Sequence, residues 1–113
     1  MTVDEYFSTG PPHERPVFDA VLARLTPVGE IHVEPVSVGI FLKRARTFAE
    51  LRPMSEWVAV GFSLPRVARH PLIVRKVLAY PGGHYHVANV RAPGDVDDAL
   101  VDLLVEAYHR TPG

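Results

Sequence analysis

Apolar and polar positions alternate most regularly between Val36 and Leu64, in the run VSVGIFLKRARTFAELRPMSEWVAVGFSL. Val36, Val38, Ile40 and Leu42 share one face of an extended chain, and Val58, Val60, Phe62 and Leu64 do the same further on. A period of two is the signature of a half-buried strand. The segment predicts three successive strands, Val36 to Leu42, Arg46 to Arg52 and Trp57 to Leu64. The polar run Lys43-Arg44-Ala45 and the turn Pro53-Met54-Ser55-Glu56 separate them. Val, Ile, Phe and Trp dominate, as a pleated surface with one buried face requires.

On either side the period changes. Thr2 precedes Asp4 and Glu5, an N-terminal helical signal, with Tyr6 and Phe7 placed to close over a core. Gly10-Pro11-Pro12 breaks that turn. Val17, Phe18, Val21, Leu22 and Leu25 then recur at helical spacing, with Pro16 near the first turn. Ile31 to Glu34 has strand character, and Pro35 limits it to an edge piece or a bent extension of the next strand. Past the basic connection Pro65 to Pro71, Ile73 to Tyr80 and His84 to Arg91 predict a hairpin. Pro81 and Gly82 hold the central positions of a type II turn. A last helix begins at Asp95 and presents Val96, Leu100, Leu103, Leu104, Ala107 and Tyr108 on one side. The sum is an α+β chain: a two-layer domain with an antiparallel β-meander of about five strands and both helices on one face. Phe62, Val60, Ile40, Phe18, Leu22, Leu100, Leu104 and Tyr108 are its expected core.

At 113 residues the chain is expected to form a single domain, residues 1–113. It has no cysteine, which removes disulfides, thiolate nucleophiles and thiolate-bound zinc. No apolar run approaches the roughly 20 residues that cross a bilayer, and the acidic N-terminus is not a signal peptide. A cytoplasmic protein with no membrane contact is therefore expected.

The net charge of −1 conceals an uneven distribution: basic residues outnumber acidic ones eight to two between 43 and 76. Lys43, Arg46, Arg52, Arg75, Lys76 and Arg91 edge the predicted sheet. They suggest a binding surface for a small anionic molecule or an acidic protein partner. Solubilising charge on a wetted face is the plainer explanation of the same composition. Phe41 is expected to point away from the core, but no RNA-binding sheet motif accompanies it, which argues against nucleic acid. An apolar open face would instead serve a homodimer.

Catalytic chemistry finds little support. No Gly-x-Ser-x-Gly elbow is present, and the Gly82-Gly83 pair precedes a strand rather than a helix N-terminus. Asp98 and Asp102 lie one helical turn apart, where the helix dipole accounts for them. Among the six histidines, only His84 and His86 have ligand spacing: two apart on a strand, they share a face. A third ligand would have to come from His32, His70, Glu34 or Glu50. The alternative places both as exposed residues beside the hairpin turn. No cofactor is indicated. The readings thus span a non-catalytic binding module, a small enzyme or metal site at His84 and His86, and an oligomerising structural domain.

The runs GIFLKRARTFAELRP and WVAVGFSLP, followed by a hairpin leading to DVDDALVDLLVEAY, resemble an uncharacterised bacterial domain family. That family is described only as a domain of unknown function, with some members loosely labelled "predicted transport protein". The likeness runs from Tyr6-Phe7 to Ala107-Tyr108. It implies a compact α+β domain and brings no catalytic residues with it.

Overall fold

Local chemistry sets the helix ends. The Thr2 hydroxyl accepts a hydrogen bond from the Glu5 N–H, and the Glu5 carboxylate accepts one from the Thr2 N–H, opening α1 (Val3–Phe7) with a capping box. Helix α2 (Glu14–Leu25) ends in a 3-10 turn at Thr26–Val28. Helix α3 (Asp98–Arg110) starts later than its acidic run suggests. Asp95 belongs to a 3-10 turn, and Asp97 is the cap, its carboxylate accepting from the Leu100 N–H at 2.8 Å. The structure, a computed structural model, describes residues 1–111.

Six strands form one antiparallel sheet: β1 (His32–Val36), β2 (Gly39–Lys43), β3 (Thr47–Pro53), β4 (Val58–Leu64), β5 (Leu78–Tyr80) and β6 (Gly83–Val90). The first expected strand is divided, since Ser37 and Val38 make a tight turn between β1 and β2. Val38 is accordingly exposed rather than part of the buried stripe. The long strand expected from Ile73 to Tyr80 narrows to Leu78–Tyr80, preceded by a single bond from the Asn89 N–H to the Leu72 carbonyl.

The strand order is β1-β2-β3-β4-β6-β5, so the meander holds through β4 and the last hairpin is placed with β6 inside. Burial explains the choice. Strand β6 sends His86, Ala88 and Val90 into the core, whereas all three residues of β5 are exposed, and a short exposed strand suits an edge.

Helices α2 and α3 contact each other, and α3 crosses β3 and β4. On that face the register aligns Ile40 with Leu51, Leu51 with Val60 and Val60 with Ala88. These pack with Val17, Phe18, Val21 and Leu25 of α2 and with Leu100, Leu104 and Tyr108 of α3. Of the expected core, only Leu22 is partly exposed. A β-bulge lets Leu42 face Ala49 while Lys43 faces Thr47, leaving Phe48 as the extra residue. Phe48 is buried against Tyr108, with ring centroids 5.2 Å apart. Under α1, Phe7 packs on Phe18, and the Tyr6 hydroxyl donates to the buried Glu14 carboxylate at 2.5 Å.

Candidate functional site

Residues whose side chains alternate away from the helices form the open face: Glu34, Phe41, Lys43, Thr47, Glu50, Arg52, Gly61, Ser63, Tyr85 and Tyr80. Glu50 pairs across the ladder with Gly61, and Ser63 pairs with Tyr85. The absence of a side chain at Gly61 matters here. Tyr85 lies over that gap, and a Cβ at position 61 would fall 2.7 Å from its ring carbon Cζ. From there the Tyr85 hydroxyl donates a hydrogen bond to Oε1 of Glu50. Burial, and then the neighbouring carboxylate, push the Tyr85 hydroxyl well above the ordinary tyrosine range, while the charges of Arg52 and Arg75 act in the opposite direction. The phenol is thus a persistent proton donor.

Around this pair is a cleft of about 410 Å³. Thr47, Glu50, Gly61, Ser63 and Tyr85 form its sheet side, and Tyr80 comes from the end of β5. Arg46, just before β3, and Arg110, in the last turn of α3, complete its rim with Thr111. Arg110 donates to the carbonyl of Gly82 in the β5–β6 turn, so the helix end is tied to the sheet. Among the described residues, neither Arg46 nor Arg110 is paired with a carboxylate, whereas Arg52 approaches Glu50 Oε2 at 3.5 Å. The cleft therefore combines two cations at the rim with one oriented carboxylate in the sheet.

The six basic positions taken from the sequence have different surroundings. Arg46 lines the cleft. Arg52 flanks Glu50, and Arg75 lies near enough for its charge to act on Tyr85. Lys43 bonds Glu34 at 2.8 Å and holds that carboxylate below its usual range. Lys76 is exposed in the connection before β5. Arg91 follows the far end of β6, stacks over Trp57 at 5.3 Å and approaches Glu56 at 3.8 Å. Arg110, Glu50, Tyr85 and Tyr80 are cleft residues that the charge pattern did not single out. The signal for the Glu50–Tyr85 pair was a glycine within a strand, which marks a close approach by another group.

His86 requires correction. It points toward the helices and is fully buried, stacked on Phe62 with ring centroids 5.2 Å apart and planes 4° from parallel. Its Nε2 accepts from the Ala68 N–H at 2.9 Å, which leaves Nδ1–H to donate to the His84 carbonyl at 3.0 Å. Both nitrogens are thereby engaged, and burial lowers its pKa so that the ring stays neutral. Neither a free metal ligand nor an exposed residue describes it. Its role is to anchor the connection between β4 and β5 to the sheet. Among the described residues, no three His, Asp or Glu side chains come together as a metal site.

A small α+β domain with one face covered by helices and one open, cleft-bearing face is what this architecture defines. Within that class the chain belongs to the family described as "Domain of unknown function (DUF5655)", whose model matches residues 3–111. No curated protein and no solved structure matches it. The family description names no activity, and neither the match nor the fold supports the transport label that accompanies the sequence resemblance. Among the described residues, no helix is long and apolar enough to cross a membrane.

Proposed function

We propose that this chain is a non-catalytic binding module that takes a small anionic group into the open-face cleft. The observation that carries the reading is the meeting on one cleft of Arg46, just before β3, and Arg110, in the last turn of α3. Guanidinium groups present a planar fork of donors that matches an oxyanion. The hydroxyls of Thr47 and Ser63 lie on the same lining and add short-range hydrogen bonds. The volume suits a small molecule rather than a chain segment. Binding rather than catalysis is favoured because Tyr85 holds its proton and spends it on Glu50, which leaves no activated nucleophile in the cleft.

Titration of the purified protein with inorganic phosphate, followed by backbone amide NMR, tests this. Shifts should concentrate at Arg46, Thr47, Ser63 and Arg110, weaken as salt is raised, and vanish in the Arg46→Ala/Arg110→Ala variant. An unshifted spectrum at millimolar phosphate, or equal binding by the double variant, would sink the proposal.

A further inference from the structure

The cleft is bipolar, and that property narrows the ligand beyond "anion". We infer that it recognises a zwitterion: a small molecule whose carboxylate meets Arg46 and Arg110 and whose ammonium group meets Glu50. The inference rests on the anion-binding reading above and adds the second pole to it.

Three observations support the added pole. First, Glu50 lines the cleft and is held in one orientation, with Tyr85 donating to Oε1 and Arg52 at 3.5 Å from Oε2. An ionised carboxylate offers about four acceptor sites, so this arrangement fixes the group and still leaves capacity for a ligand donor. Second, its side chain is only 21% exposed, and partial exclusion of water strengthens its pull on a cation relative to an exposed carboxylate. Third, Arg52 offsets part of the Glu50 charge, and what remains weakens the hold on a plain anion that fills the cleft, whereas a ligand bearing its own ammonium group gains from it. Discrimination of this kind comes from a charge placed against the wrong ligand as much as from contacts with the right one.

Chain direction supplies a length scale. Thr47, beside the cationic rim, and Glu50 face Lys43 and Phe41 across the ladder, and the bulge at Phe48 reduces their separation along β3 to that of two extended residues, about 7 Å. The flexible Arg46 and Arg110 side chains shorten the gap that a ligand must bridge. The probes are therefore glycine, 4-aminobutyrate and 6-aminohexanoate. Each is measured against the acid of equal length that lacks the amine: acetate, butyrate and hexanoate.

Affinities from NMR titration of the full chain should show at least one amino acid binding about tenfold or more tightly than its matched acid. Glu50→Gln should erase that advantage and leave binding of the simple acid unchanged or improved. Glu50→Asp retracts the carboxylate by one methylene and should move the preferred ligand toward a longer chain. It provides an independent readout should the glutamine variant fold poorly. Equal affinity for amino acids and matched acids in the wild type would overturn the zwitterion and leave the anion-binding cleft standing. Failure of every carboxylate and of phosphate to bind would overturn both.

Discussion

His86 shows how much one residue's surroundings decide. Two residues from it in sequence, His84 has an ordinary half-buried position, while His86 is sealed under the Pro65–Val77 connection with both nitrogens bonded. Its folded pKa lies below the unfolded value of 6.5. The stability this neutral ring provides is therefore complete above pH 6.5, and it declines as the pH falls from there through the folded value. Urea unfolding between pH 8 and pH 5 should show the decline, and His86→Gln should flatten it. Glu14 works in the other direction. Burial raises its pKa above 4.5, so its contribution is complete below that value and is lost as pH rises through the folded one. Glu14→Gln keeps an acceptor for the Tyr6 hydroxyl and removes the buried charge. Its unfolding midpoint at pH 7 should equal or exceed that of wild type, with the difference narrowing on acidification. Phe62, wholly surrounded where β4 meets the helices, sets the scale for packing. Phe62→Ala should cost about 3–5 kcal/mol by chemical denaturation.

At the scale of elements, alternation located the central strands but did not fix where the chain reverses. Val58 to Leu64 pairs on both sides and turns Val58, Val60, Phe62 and Leu64 into the core as its alternation requires, with Ser63 alone partly exposed. The Ser37-Val38 turn escaped notice because Val36, Val38, Ile40 and Leu42 keep the same period through it, and nothing in that stripe marks a reversal. The start of α3 was misplaced for a related reason: Asp95, Asp97 and Asp98 all favour a helix N-terminus, and hydrogen bonding selects among them. Asp97 caps the helix and also takes His70 Nε2 at 2.9 Å. The backbone bond first, and His70 second, hold its carboxyl below the usual range. Asp97→Ala should lower stability by about 0.5–2 kcal/mol, read as a shift in the denaturant midpoint, while Asp98→Ala should have a smaller effect.

For the whole molecule, the basic excess between residues 43 and 76 was visible in the sequence, but its geometry depended on pairing between distant strands. Lys43 is engaged by Glu34 and Arg91 lies at the far end of β6, while Arg110 reaches the cleft from the last helix. No local pattern links Arg46 to Arg110 across the chain. The separation has a measurable counterpart. Arg46→Ala should weaken phosphate binding several-fold, whereas Arg91→Ala should leave it within about twofold, the difference between a charge in the cleft and one screened at a distance. Similar losses from both would mean that general surface charge, and not the cleft, attracts the anion.

The gap at Gly61 also has a hereditary consequence. Any substitution there places an atom where the Tyr85 ring now lies, so positions 61 and 85 are not free to drift independently. Lineages that retain tyrosine at 85 should retain glycine at 61. Those that acquire even alanine at 61 should carry a smaller residue at 85, and with the phenol gone the acid at 50 loses its constraint. An alignment of family members would reveal this as three positions changing together, and tyrosine at 85 beside a bulky residue at 61 would contradict it.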